Sequence, residues 1–351
     1  MASVTIYDVA ARAGVSIKTV SRVMNNEPNV RPAMRDRVLE AAEALDYSPN
    51  LSARSLAGSR SFVIAVFVDA ALTIDHWRSE RGADYLSRIQ LGATLQCRDA
   101  GYHLLIELID HDAPRVRQEV AALLAALKPD GVILTPPSSD NETVLELLDK
   151  AGAPYVRLGP EREGLGPRVH MDDVAAAREM TEHLAILGHR RIGFIVGEPR
   201  YGASQARRQG YLEAMQRLNL PVADAWVRQG DFTFQSGLEQ GKALLALPER
   251  PTAIFASNDD MALGCLAAAA EAGVMIPGDV SVAGFDDSPS ARFSRPQLTT
   301  VRQPVVEMAS LATRLLISGQ IKGATAKSSR VDELLPFELI HRASTAPPPS
   351  Q

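Results

Sequence analysis

Cysteine is scarce. The 351 residues hold two, Cys97 and Cys265, far apart and in no metal-type spacing. Neither a disulfide framework nor a cysteine metal site is expected, and both read as reduced core thiols. No apolar run approaches the ~18 residues of a membrane span, and the longest are strand-sized. The N-terminus lacks a basic region followed by an apolar stretch, so no signal peptide is expected and the chain is expected in the cytoplasm. Catalytic motifs are missing as well: no GxSxG elbow, no HExxH, no P-loop, no GxGxxG after a strand. The histidines (His76, His103, His111, His170, His183, His189, His341) are scattered, and no strand-end acid has an evident nucleophile partner. Neither an enzyme, a cofactor nor a metal is expected.

What is present describes a globular chain long enough for two or three domains. Hydrophobic residues at 46% against 23% charged can bury real cores. The formal net charge is -5, but it is unevenly spread. Residues 1–60 carry eight Lys and Arg against six Asp and Glu, while the remainder carries 29 against 36. A basic module on an acidic body points to a polyanion met at one end.

The local pattern sharpens this. Thr5-x-x-Asp8 resembles a capping box, with Ile6, Val9, Ala10 and Ala13 following at helical spacing. Gly14 sits where a left-handed turn would end that helix. Ser16 then caps a second helix with Val20, Val23 and Met24 on its apolar face. Two short helices joined by a tight glycine-containing turn form a helix-turn-helix. The outer face of the second presents Ile17, Lys18, Ser21 and Arg22, with no acid among them. Pro32 opens a third helix, with Met34, Val38, Leu39, Ala42 and Leu45 expected inward.

Together TIYDVAARAGVSIKTVSRVMN (5–25), YSPNLSARSLAG (47–58) and RPQLTTV (295–301) resemble the lactose-repressor/galactose-repressor family of bacterial transcription regulators, over nearly the whole chain. The resemblance implies a homodimer on two-fold operator DNA. It places Ile17, Lys18 and Arg22 in the major groove, where an arginine can take a guanine edge by two hydrogen bonds. Thr5, Ser16, Thr19, Ser21 and Asn25 fall among the remaining DNA contacts, Ser16, Thr19, Ser21 and Asn25 being suited to phosphate. The NxxARxL-type segment matches a hinge helix that folds on the operator, with Leu56 as minor-groove wedge and Asn50, Ala53 and Arg54 beside it. A short helix between Pro49 and Gly58 is marginal alone, so coupling its folding to DNA is physically reasonable.

From residue 62 the chain alternates apolar strand-like runs with helical patterns, starting afresh near residue 160. The body is expected to be α/β, two doubly wound lobes with parallel sheets, resembling the periplasmic-binding-protein fold. Expected boundaries are a helix-turn-helix domain at 1–48, a hinge at 49–60, and a two-lobed core at 61–342. The first lobe would take 61–160 and 288–322, the second 161–287 and 323–342, followed by a flexible tail at 343–351. Ligands in such sheets sit at the carboxyl ends of strands. Asn258 in SNDDMALG and Asp286 in GFDD fall there, while Asp259 reads as a helix cap. Arg207 matches the family's sugar-binding arginine, and Phe232 an aromatic that packs on the ligand. A carboxylate, an amide, a guanidinium and an aromatic face suit a pyranose. Arg157, a charge in the apolar YVRL, either faces the cleft or serves as an ion-pair partner at the sheet's edge. The effector expected is a sugar or sugar derivative, with a purine or nucleoside as the alternative.

Overall fold

A computed structural model describes residues 4–24, 29–47, 60–78, 84–111, 115–163, 165–323 and 328–349, except for the His76 side chain. The chain divides into two units, Met1–Phe62 and Val63–Gln351.

In the first unit lie α1 (Ile6–Ala13), α2 (Ile17–Met24) and α3 (Pro32–Ala44). The Asp8 carboxylate accepts the Thr5 N–H at 2.8 Å and the Thr5 hydroxyl at 2.7 Å, tying down the start of α1. Gly14 ends it with φ +62°, a conformation that a side chain would strain. The Arg37 guanidinium donates to the adjoining Ala13 carbonyl and locks the turn onto α3. Val9, Val20 and Val38 are completely buried, and Ala10, Ala13, Val23, Ala41 and Ala42 close the core around them. Leu39 corrects the sequence expectation, being 47% exposed. The inward face of α3 runs 38, 41, 42, 45, and small alanines complete it, so position 39 falls outside the stripe.

The second unit runs β1 (Val63–Asp69), α4 (Ala70–Arg78), α5 (Asp84–Ala100), β2 (His103–Ile109), α6 (Val116–Leu127), β3 (Gly131–Leu134), α7 (Glu142–Ala151), β4 (Tyr155–Leu158) and β5 (Arg168–His170). It continues through α8 (Asp173–Ile186), β6 (Ile192–Val196), α9 (Gly202–Arg217), β7 (Val227–Gln229), α10 (Phe234–Leu245), β8 (Ala253–Ala256), α11 (Asp259–Glu271) and β9 (Ser281–Ala283). Last come α12 (Pro289–Phe293), β10 (Thr300–Arg302), α13 (Val305–Ile317), β11 (Asp332–Leu334) and β12 (Glu338–Ile340). One parallel sheet has the order β11-β5-β4-β3-β1-β2 and the other β7-β6-β8-β9, while β10 and β12 form a separate antiparallel pair. Their central strands are near-continuous apolar runs because helices cover both faces. Ile64–Phe67 and Ile192, Phe194 and Ile195 are all completely buried.

The sheets redraw the expected lobe limits. Residues 168–170 and 332–334, expected in the second lobe, form β5 and β11 of the first sheet. These three-residue strands carry polar side chains and no apolar run to betray them. Arg168 holds them together, its Nε and Nη2 each 2.8 Å from the Asp332 carboxylate. That hydrogen bonding holds the Asp332 pKa down to about 2. The return of the chain after residue 288 is through α13, which packs on α5, β3 and β4. Gly92 of α5 permits this approach: a Cβ there would lie 2.2 Å from the Val306 carbonyl oxygen.

The tail also departs from expectation. Residues 344–346 are docked, and Ser344 is completely buried. The Ser344 hydroxyl donates to the Val282 carbonyl at 2.6 Å and accepts the Thr299 N–H at 2.8 Å. The Ser344 carbonyl accepts the Val282 N–H at 2.9 Å, and His189 Nε2 bonds the Ala346 carbonyl at 2.8 Å. Small residues let this stretch press against the sheet, and its polar groups meet otherwise unanswered backbone.

Candidate functional site

In the first unit, burying Val20 and Val23 turns the opposite side of α2 outward. Ile17 is 40% exposed there, and Lys18 and Arg22 are exposed beside it. Ser16 Oγ accepts the Thr19 N–H at 3.2 Å and lies 2.9 Å from the Thr19 hydroxyl. These two side chains therefore anchor the start of α2, and Thr5 is occupied with Asp8. Ser21 is half-buried at the flank of the exposed face. Asn25 and the hinge residues Asn50, Ala53, Arg54 and Leu56 lie outside the described residues.

In the second unit a cavity of about 430 Å³ opens at the carboxyl ends of strands from both sheets. Asp69 ends β1, Thr135 follows β3, Gly159 follows β4, Asn258 follows β8 and Asp286 follows β9, and all of them line it. Arg207, Phe232, Asn258 and Asp286, proposed from separate segments, thus come together in one place.

Each is fixed by neighbours. Arg207 is buried in the first half of α9, where Nε meets Asp173 at 2.8 Å and Nη1 donates to the Ser257 carbonyl at 2.7 Å. Its guanidinium lies over the Phe285 ring, 3.7 Å from the centroid, and 6.0 Å from that of Phe232. Phe232 has φ +69°, uncommon for an aromatic residue, and meets Tyr201 edge-on at 5.8 Å. Asn258 does two jobs: Oδ1 caps α11 by accepting the Met261 N–H at 3.0 Å, and Nδ2 donates to the Phe232 carbonyl at 2.9 Å. Asp259 is therefore not the cap. It is completely buried, accepting the Ser288 N–H at 2.7 Å and the Thr300 hydroxyl at 2.6 Å.

Asp286 and Asp287 have φ of +124° and +54°, backbone outliers of the kind that cluster at functional sites. Asp287 supplies the anchor: its buried carboxylate takes Arg292 at 2.9 Å, Arg302 at 2.8 Å, and Arg342. Burial would raise its pKa, but the three guanidiniums outweigh that and hold it low. Asp286 instead faces the cavity and accepts from the Gln303 amide. Burial, reinforced by Asp260 and opposed by Arg207, pushes its pKa up to about 7. Asp259 is pushed up in the same direction, by burial first and then by Asp286.

Of the two readings of Arg157, the ion-pair partner holds, with Asp140, and the cleft contact is corrected. Arg157 does not line the cavity, and β4 is an interior strand, not an edge. The side chain is completely buried, with Nη1 donating to the Arg162 carbonyl at 2.9 Å and the Asp140 carboxylate at 3.3 Å. It organises the loops around residues 139–166. Sequence reasoning missed the first-lobe side of the cavity, including Asp69, Asp84 and Tyr85, and also Tyr201. An acid closing the apolar run VIAVFVD was the same signal that singled out Asp286.

A helix-turn-helix with a cationic outer face, in one chain with a two-lobed core holding a ligand-sized cavity, defines a DNA-reading regulator with its own small-molecule sensor. Residues 5–50 match the model for bacterial regulatory proteins of the lacI family, and residues 181–345 that for the periplasmic binding protein-like domain. Catabolite control protein A of Priestia megaterium is 35% identical, over 98% of this chain and 99% of that protein. Among solved structures, a complex of the transcriptional regulator CelR with cellobiose is 31% identical with a TM-score of 0.71, covering 97% of this chain and 99% of that one. The lac repressor dimer bound to operator and an anti-inducer is 27% identical with a TM-score of 0.78, covering 98% of this chain and 100% of that one. The chain belongs to the lacI family and is a DNA-binding transcriptional regulator.

Proposed function

We propose that the chain is a repressor that binds a two-fold operator as a homodimer in the cytoplasm, releasing or tightening as a small sugar-like effector occupies the cavity. The observation that carries the effector reading is the convergence of Arg207, Asp286 and Phe232 on one cavity at strand ends. An aromatic face for C–H groups beside a carboxylate and an oriented guanidinium for hydroxyls is the chemistry a pyranose asks for. A complex with cellobiose in a relative of the same fold supports the class. Asn258 supports the site through its hold on Phe232, and Arg22, Lys18 and Ile17 read the operator. Leu56, with Asn50, Ala53 and Arg54, is proposed to form the hinge that folds on DNA.

Dimer formation has its own support. Leu91 and Leu95 lie one turn apart on α5 and are about half exposed, and Leu108 is exposed on β2, the edge strand of the first sheet. We read the protein as a regulator and not an enzyme, its output being a coupling free energy, typically ~1–3 kcal/mol between effector and DNA.

Thermal unfolding against neutral sugars, sugar derivatives and purines tests the effector reading. A ligand at 100 times its Kd stabilises the native state by ~2.7 kcal/mol. A shift with a sugar that vanishes in Arg207→Ala supports the reading, whereas a shift with purines alone moves it to a nucleoside-type effector.

A further inference from the structure

Building on the cavity as the effector site, we infer that it selects an effector without negative charge, one that gives hydroxyl or ammonium protons to Asp69, and excludes phosphorylated and carboxylate-bearing ligands. Asp69 is 4% exposed at the end of β1. Its Oδ1 accepts the Leu72 N–H at 3.1 Å. Its Oδ2 is buried and takes no hydrogen bond from any described residue. The Arg200 guanidinium stops 3.9 Å away, and the Tyr201 phenol lies beside the Asp69 carboxylate, whose charge and hydrogen bonding add to burial in raising the phenol's pKa. A buried carboxylate oxygen left without a donor bears its desolvation cost until one arrives. The cavity is where a donor can arrive.

The balance of charge around that oxygen decides what can carry the donor. Among the described residues, Asp69, Asp84, Asp173, Asp260 and Asp286 line the cavity against one cation, Arg207. Arg207 is already paired with Asp173 at 2.8 Å, and Arg88 is paired with Asp84 at 2.8 Å. A phosphate or carboxylate entering this space would meet like charges at low dielectric, with the lining guanidinium already engaged. Hydroxyl pairs of a neutral sugar, or the ammonium of an amino sugar, answer Asp69 directly.

The test uses the full chain and matched probes: glucose and glucosamine against glucose 6-phosphate and glucuronate, cellobiose against cellobionate, ribose against ribose 5-phosphate, and adenosine against its monophosphate. Dissociation constants come from thermal shifts and calorimetry. At least one neutral or amino member binds, and its anionic counterpart binds at least tenfold more weakly. Asp69→Asn, which keeps an oxygen for the Leu72 N–H, weakens the neutral probe at least tenfold; Asp69→Ser serves if that chain does not fold. Equal or tighter binding of an anionic member overturns the inference. So does the absence of binding by every neutral and amino probe, or an unchanged constant in Asp69→Asn. If adenosine alone binds and outcompetes its monophosphate, the sugar reading fails while the charge rule stands.

Discussion

The guanidinium of Arg207 lies over the ring of Phe285 with its Cζ 3.7 Å from the ring centroid. Asp173 and the Ser257 carbonyl hold its plane from two further sides. The group is thus oriented before any ligand arrives, which reduces the ordering cost of binding. Lysine has neither the plane nor the fork. Arg207→Lys is therefore expected to weaken the effector at least tenfold while leaving operator binding in place, as checked by calorimetry and DNA titration. Unchanged effector affinity would remove Arg207 from the site.

Asn258 connects a helix cap to the aromatic wall. Asn258→Ala loses the cap and the hydrogen bond to Phe232, at an expected cost of about 1–2 kcal/mol in urea unfolding. Asn258→Asp keeps the cap but has no donor for the Phe232 carbonyl. It should retain most of the stability and still weaken the effector; equal loss of stability in both variants would place the cost in the lost hydrogen bond to Phe232 and not in the cap.

Asp286 imposes a pH dependence. An unfolded aspartate titrates near ~3.9, whereas burial raises this one to about 7. The folded state binds the extra proton, so this contribution is fully present below the unfolded pKa and is lost as pH rises through about 7. Asp286→Asn should gain stability relative to the unsubstituted chain between pH 5 and pH 8. A difference that stays constant across that range would contradict the assignment. His183 acts in the opposite sense. Burial beside His341 pushes its pKa down to about 4, so its contribution is lost as pH falls from ~6.5 toward that value.

The docked tail predicts a truncation effect. Ending the chain at Arg342 removes the three Ser344 hydrogen bonds and the His189 contact to Ala346. With a net ~1 kcal/mol for each hydrogen bond, a loss of about 2–4 kcal/mol is expected in urea unfolding. An unchanged midpoint would mean that the tail contributes nothing.

The helix-turn-helix was legible because short-range signals carry it: a cap at Thr5, a turn at Gly14, Pro32 at a helix start, valines at helical spacing. Central strands were legible as apolar runs. What escaped was held by long-range polar contacts. The pairing of β5 with β11 rests on Arg168 and Asp332, which stand far apart in the chain. The tail rests on Ser344, an unremarkable residue in a proline-rich stretch. Arg157 left two readings open because a charge in an apolar strand signals importance without saying whether it faces a ligand or a loop; it pairs with Asp140. The second-lobe side of the cavity was read from Asn258 and Asp286 at strand ends and, through the family resemblance, from Arg207 and Phe232; Asp69 carried the same strand-end signal but had no surrounding motif to single it out.

In the proposed function α2 is the reader of the operator. The most direct measurement selects binding sites from a random duplex pool with the full chain, then compares affinity for the recovered site and for scrambled DNA in wild type and Arg22→Ala. The expected result is a two-fold symmetric site and a substituted chain that keeps non-specific affinity while losing most of the specificity ratio, because phosphate contacts survive and base readout does not. A wild-type specificity ratio in Arg22→Ala, or no preferred sequence at all, would contradict it.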